Sequence, residues 1–367
     1  MKNRKNTIKL QVLTSIAILI GLFTTIMSSV SAEPYLAVRT GLKCMSCHVN
    51  PTGGGKRNAF GRIYGESILP SKPTDKPLGS LFGDRFDIGG NLRATFKANR
   101  TQNQKNSSAF NTDRANIYIE AKLIPDKLSF YLDQQFAPGS DNRESWLKLQ
   151  NKEGSTYLKA GKIFQPYGLR LEDDDALVRS VPGINFSTPD NGLELGLEKG
   201  PWSTQLSLTN GSAGGAETNK GKQIGARVEY IQPKWRLGAS ANINKGDSQD
   251  RQMQNIFAGF KWLGSEFLVE ADHIKDTNTS KGDIEQIATH FEINKEVKKG
   301  HNVKFSMEYL DPNLDIDEDH RSRTSLIWEH TPVPMLQVRI GLRSNKGIPQ
   351  NDEQNSEEVF LQLHGFF

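Results

Sequence analysis

From about residue 86 onward, apolar and polar side chains alternate with a period of two, in segments long enough to cross a membrane as tilted strands. Ile117, Ile119, Ala121 and Leu123 point one way, and Tyr118, Glu120 and Lys122 the other. Ile224, Ala226, Val228 and Tyr230 oppose Gly225, Arg227 and Glu229; Leu336, Val338, Ile340 and Leu342 oppose Gln337, Arg339 and Arg343. A soluble barrel would turn its apolar face inward, over a packed core. Here one face is apolar and the other charged, read as the reverse of that rule, which fits lipid outside and water inside. The expected fold is all-β, an antiparallel transmembrane β-barrel of about sixteen strands over 86–367.

The connections agree. Every second one is tight: Pro125-Asp126, Gly200-Pro201, Gln232-Pro233, Gly264-Ser265, Lys299-Gly300 and Pro332-Val333-Pro334, with longer polar loops between them. Short periplasmic turns alternating with long external loops is the outer-membrane pattern. Trp202, Trp235 and Trp262 lie beside the short turns, as an interfacial girdle would. The last segment, Leu361 to Phe367, ends on phenylalanine like the assembly signal of outer-membrane barrels. An even strand count puts both barrel ends on the periplasmic side. The third long connection, Pro166 to Pro189, resembles in position the loop that general porins fold into the lumen; a plain exposed loop is the alternative.

Residues 1–32 read as a secretory signal: Lys2, Arg4, Lys5 and Lys9, an apolar run from Val12 to Met27, and small residues at Val30-Ser31-Ala32. That segment holds four of the 46 basic residues, leaving 42 against 42 acidic ones. A chain so balanced carries no nucleic-acid footprint.

Between signal and barrel stands Cys44-Met45-Ser46-Cys47-His48, with both cysteines of the chain. Two cysteines two residues apart and followed directly by histidine form the c-type haem attachment pattern: two thioether bonds, with His48 as proximal iron ligand. A disulfide or a metal site is the alternative use of such a pair. Thr40 is expected to cap a short helix carrying the motif, Pro51 to Gly55 to form a loop, and Ala59, Phe60, Ile63, Tyr64 and Ile68 to form a helix face over the haem, ended by Pro70. The haem segment is thus 33–70, with 71–85 as linker. No catalytic triad, phosphate-binding loop or zinc-spaced cluster stands out.

Pro34 to Lys43 ahead of the motif, and Asn58-Ala59-Phe60-Gly61-Arg62 after it, resemble the N-terminus of the fused monohaem cytochrome–porins of the bacterial outer membrane, the iron-oxidising outer-membrane cytochrome type. The likeness covers about 30 residues. This chain differs in its Gly53-Gly54-Gly55 loop. The resemblance implies one covalent haem c ahead of a porin-like barrel, and members are implicated in oxidising dissolved ferrous iron at the cell surface.

The ligand opposite His48 is open: histidine or methionine gives a low-spin carrier, and a vacant position admits small molecules. Strand parity points His364 and His290 inward, with His364 near the periplasmic mouth. His301 and Met335 fall at periplasmic turns; His273 and His330 share the lipid-facing parity. Asp315, Asp317, Glu318, Asp319 and His320 form an acidic cluster in the seventh external loop, either a divalent-cation site or a solvated loop. Arg93, Arg227, Arg339 and Arg343 project inward, toward haem propionates or a wet lumen. The expected function is electron transfer through the outer membrane, between an extracellular donor or acceptor and a periplasmic c-type cytochrome or other carrier. The alternative is a general diffusion porin with an accessory or gating haem; a third reading is a catalytic haem with an open sixth position.

Overall fold

The computed structural model describes residues 33–76, 83, 85–246, 249–280 and 282–367; the expected signal at 1–32 and most of the second half of the expected linker lie outside the described residues. Sixteen strands follow one another: β1 (Phe86–Thr101), β2 (Ser107–Ile124), β3 (Leu128–Ala137), β4 (Asp141–Gln150), β5 (Thr156–Ile163), β6 (Asp190–Lys199), β7 (Trp202–Thr209), β8 (Gln223–Gln232), β9 (Trp235–Lys245), β10 (Asp250–Trp262), β11 (Ser265–Thr279), β12 (Gly282–Lys298), β13 (His301–Asp311), β14 (Arg321–His330), β15 (Leu336–Lys346) and β16 (Ser356–Phe366). Each pairs antiparallel with the next, and β16 closes on β1 from Asn91↔Phe366 to Thr101↔Ser356. Closure leaves no sheet edge unpaired, the condition for strands in lipid.

The burial pattern is inverted as the alternation requires. On β7 and β8, Leu206 is 52 % and Ile224 54 % exposed, while Gln205 is 1 % and Arg227 6 %. Trp202, Trp235 and Trp262 are exposed at the turn end, and Tyr230 packs between the first two rings. Because Leu206 belongs to the apolar belt, Leu206→Arg is expected to destabilise the barrel by about 2–4 kcal/mol in lipid. Ser207→Arg, on the luminal face, should cost less if the lumen has room. Urea unfolding in vesicles separates the two.

The lumen is filled from both ends. At the turn end, α1 (Pro34–Thr40) lies against β10 and β11. Arg39 donates to Glu266 and Asn302, and Lys43 to Glu198. Ser71 and Lys72 donate to the Thr331 and Pro332 carbonyls, so the start of the expected linker is fixed to the β14–β15 turn. From the loop end the third long connection folds inward, with a short helix α3 (Leu177–Ser180) near its middle. Its Leu169, Leu171 and Val178 join Tyr35 and Val38 of α1 and Phe257 and Leu268 of the wall in one buried cluster. An apolar core thus forms inside a polar barrel, where the two inserts meet. The constriction alternative for this loop is the one observed.

Two local expectations are corrected. Thr40 ends α1, its hydroxyl donating to the Leu36 carbonyl, and the cysteines sit on a single 3-10 turn, Cys44–Ser46. The N-cap is instead Asn58, whose side chain accepts from Gly61 N at the start of the helix α2 (Ala59–Ile63), which continues as a π turn, Tyr64–Ile68. Of the apolar face of that helix, Tyr64 shares a cleft with the cysteines, while Phe60, Ile63 and Ile68 are each about half exposed at the turn end and do not cover the motif.

Candidate functional site

Asn58 organises the motif. Its Nδ2 donates to the carbonyls of Met45, Ser46 and His48, so one side chain ties the Cys44–Ser46 turn to the start of α2. Gly61 lies directly against the Cys47 carbonyl, an approach a side chain would block. The result is a cleft between the motif segment, the inserted loop and the barrel wall. Cys44, Cys47 and His48 all line it. So do Leu36, Ala37, Leu42, Leu69 and Leu169, which make the wall apolar, and Arg57, Arg170, Arg227 and Arg236.

Both thiols are free. Burial pushes each of them up, with Cys44 adding to the effect at Cys47, so both are protonated near neutral pH. Burial, with Arg57 beside it, lowers His48 to about 4. Its imidazole is therefore neutral, the form that ligates iron. His48 Nδ1 is buried with no hydrogen-bond partner among the described residues. Paired thiols, a buried neutral imidazole and an apolar wall edged with guanidiniums together fit a covalently held haem. When bound, it would supply a one-electron couple at the iron. Cys44 and Cys47 would hold it, His48 would ligate it, and Arg57, Arg170 and Arg227 are placed to meet its carboxylates.

The structure separates the other expected residues. Among the described residues, no histidine or methionine besides His48 lines this cleft. His364, 1 % exposed, lines a second, narrow cavity with His48 but without the cysteines. His290 is buried on β12, 3.6 Å from Glu292 and 3.9 Å from Glu308, and lines neither cavity. His301 and His330 stack with ring centres 3.9 Å apart beside Trp328 at the turn end, His273 pairs with Glu285, and Met335 lies in the β14–β15 turn. Asp315, Asp317 and His320 are exposed, His320 stacks on Tyr309, and among the described residues no three acidic, histidine or cysteine side chains are grouped to hold a metal ion.

Of the inward arginines, only Arg227 reaches the cleft; Arg93, Arg339 and Arg343 line a vestibule on its loop side. There they meet the acidic run of the inserted loop. Glu172 pairs with Arg93 at 2.7 Å and Arg114 at 3.4 Å, and Asp173 with Arg343 at 2.6 Å and Arg323 at 2.7 Å. Burial pushes Glu172 up, but Arg93 and Arg114 outweigh it and hold the carboxyl down at about 2.

Contacts between the two inserts escaped sequence reading. Arg170 donates to the Thr52 hydroxyl; on the wall side, the Tyr131 hydroxyl of β3 accepts from Lys56 N. Gly54, at φ +74°, lies under Phe186: a Cβ there would stand 2.5 Å from the ring and 3.8 Å from Arg170. Gly54→Val should therefore weaken docking of the two inserts by about 1–3 kcal/mol, read as faster tryptic cleavage after Arg170.

No family model matches the chain, and no curated protein does. Solved structures do. The chain is similar to a loop L8 deletion mutant of OmpT, an outer membrane protein of Vibrio cholerae, with a TM-score of 0.61 and 11% identity over 77% of this chain and 99% of that one. It is similar to an anion-selective porin from Comamonas acidovorans, with a TM-score of 0.60 and 12% identity over 77% and 99%. The outer membrane channel DcaP of Acinetobacter baumannii gives 0.59 and 12% over 79% and 99%. At such identities the likeness is one of architecture: the chain folds as a closed sixteen-strand barrel of the porin kind.

Proposed function

We propose that this protein is an outer-membrane electron carrier, with one haem c attached at Cys44 and Cys47 and held inside the periplasmic end of the barrel. The observation that carries this reading is the convergence of both cysteines and a neutral, buried His48 on one apolar cleft inside an otherwise polar lumen. Burial there would insulate the iron and raise its potential relative to an exposed site. The barrel belt is about 25 Å tall, so a haem within the lumen shortens the gap to an outside donor such as ferrous iron. The vestibule supports approach of that donor from the loop end. Phe60, Ile63 and Ile68, exposed at the turn end, offer an apolar face to a periplasmic carrier, a cytochrome c by the chemistry of the couple. A spectroscopic redox titration of the purified protein, followed by mixing with ferrous iron, tests this. We expect one reversible haem couple, reduced on mixing; absence of a haem spectrum would refute it.

A second reading is a diffusion porin with an accessory or gating haem. The solved neighbours fit it better than they fit the first, and the charged vestibule would pass ions. The two inserts that meet across the lumen weigh against it.

A further inference from the structure

We propose that the turn end of the barrel is a docking surface for a soluble protein with an acidic rim around an apolar contact; that this protein is the periplasmic electron carrier rests on the function proposed above. The apolar centre is the outer side of α2 and of the π turn that continues it, where Phe60, Ile63 and Ile68 are exposed. They stand on a segment that lies across the mouth, not on the lipid-facing wall, so the membrane does not cover them. The segment is tied to the mouth on several sides. Ser71 Oγ donates to the Lys299 carbonyl, Lys261 Nζ to the Arg39 carbonyl and Lys43 Nζ to the Trp202 carbonyl. The same stretch also forms the inner wall: Gly61, Tyr64, Gly65 and Leu69 line the cleft of the cysteines. A partner seated on Ile63 and Ile68 is separated from that cleft by a single turn of chain.

Around this patch the charge has one sign. Lys127, Lys152, Lys199, Lys234, Lys298 and Lys299 lie in or beside the turns, all are exposed, and among the described residues none of them is ion-paired. The same turns hold the exposed carboxylates Asp126, Glu153 and Glu296, the last 3.5 Å from Arg39. Other carboxylates of this end point inward and are used there: Glu198 pairs with Lys43, Glu266 with Arg39 and Glu120 with Lys56. The rim is therefore basic. The loop end has the reverse balance, with Asp315, Asp317, Glu318 and Asp319 in the seventh loop alone.

An apolar centre inside a charged rim is the anatomy of a protein interface: the centre supplies contact and the rim steers approach. Lipid headgroups would use the lysines but not Phe60, Ile63 and Ile68, which stand inside the ring of turns. The complementary partner has carboxylates around an exposed apolar edge. Small, weak contacts of this kind are the ones that electron-exchange encounters use.

Titration of the purified full-length protein, in phosphatidylcholine nanodiscs, with cytochrome c whose lysines have been succinylated tests the surface. Binding is read, not electron exchange, so the outcome is separate from whether the barrel carries haem. We expect saturable binding, weakened about tenfold between low and physiological salt as exposed charges are screened. Lys298→Glu combined with Lys299→Glu should weaken it about tenfold. Ile63→Ser should weaken it severalfold with the salt dependence unchanged. Glu153→Lys should tighten it severalfold, which a misfolded variant cannot do. No saturable binding, or affinity unmoved by both charge changes, would overturn the proposal. So would a double lysine variant that loses affinity for phosphatidylglycerol vesicles yet binds the succinylated protein as before, which would give the rim to lipid.

Discussion

Cys44→Ala combined with Cys47→Ala is expected to abolish covalent haem completely while leaving the barrel folded. The thiols contribute nothing to the wall: both belong to the turn before His48, and neither makes a disulfide. The barrel rests on inter-strand hydrogen bonds and an apolar belt that the substitutions do not touch. In a denaturing gel stained for haem peroxidase activity, the wild-type band should be positive and the double variant blank, with the same heat-modifiable mobility. A single substitution should leave one thioether and a weaker, shifted spectrum. If wild type itself does not stain, the cysteines serve another chemistry and the cleft loses its expected occupant.

The second large effect concerns the lumen. Deleting residues 34–72 should convert an occluded barrel into a conducting pore. Sixteen-strand barrels enclose an aqueous channel unless something fills it. Here Tyr35 and Val38 supply the partners on which Leu169, Leu171 and Val178 pack. Without them the inserted loop loses its apolar support, although the ion pairs of Glu172 and Asp173 to the wall remain. In planar bilayers the intact protein should show little or no step conductance and the deletion variant steps of general-porin size. Full conductance in the intact protein would favour the diffusion-channel reading.

The barrel was legible because its signal is repeated in every strand. Period-two alternation and alternating turn lengths are local properties, and both point to the same closed barrel. The cleft was legible only as far as the motif reached. Parity correctly turned His364 and His290 inward, but parity carries no azimuth: it could not tell that His364 stands in the cavity without the cysteines, or that His290 lies between Glu292 and Glu308. The α2 pattern misled for a related reason. Apolar spacing shows that one face is apolar, and Phe60, Ile63 and Ile68 present theirs outward. Arg170 against Thr52 and Gly54 under Phe186 join residues more than a hundred positions apart, and nothing local announces them.

One contact set bears on how the barrel comes together and stays together. Lys56 pairs with Asp87 on β1 and Glu120 on β2, while the guanidinium of the next residue, Arg57, lies over the ring of Phe366 on β16. Two adjacent residues of the motif segment therefore bridge the first and last strands, the seam at which a barrel zips shut and from which it would open. The seat of this segment is complete only when β1 and β16 have paired. Once seated it acts as a bolt across that seam, slowing unfolding more than it speeds folding.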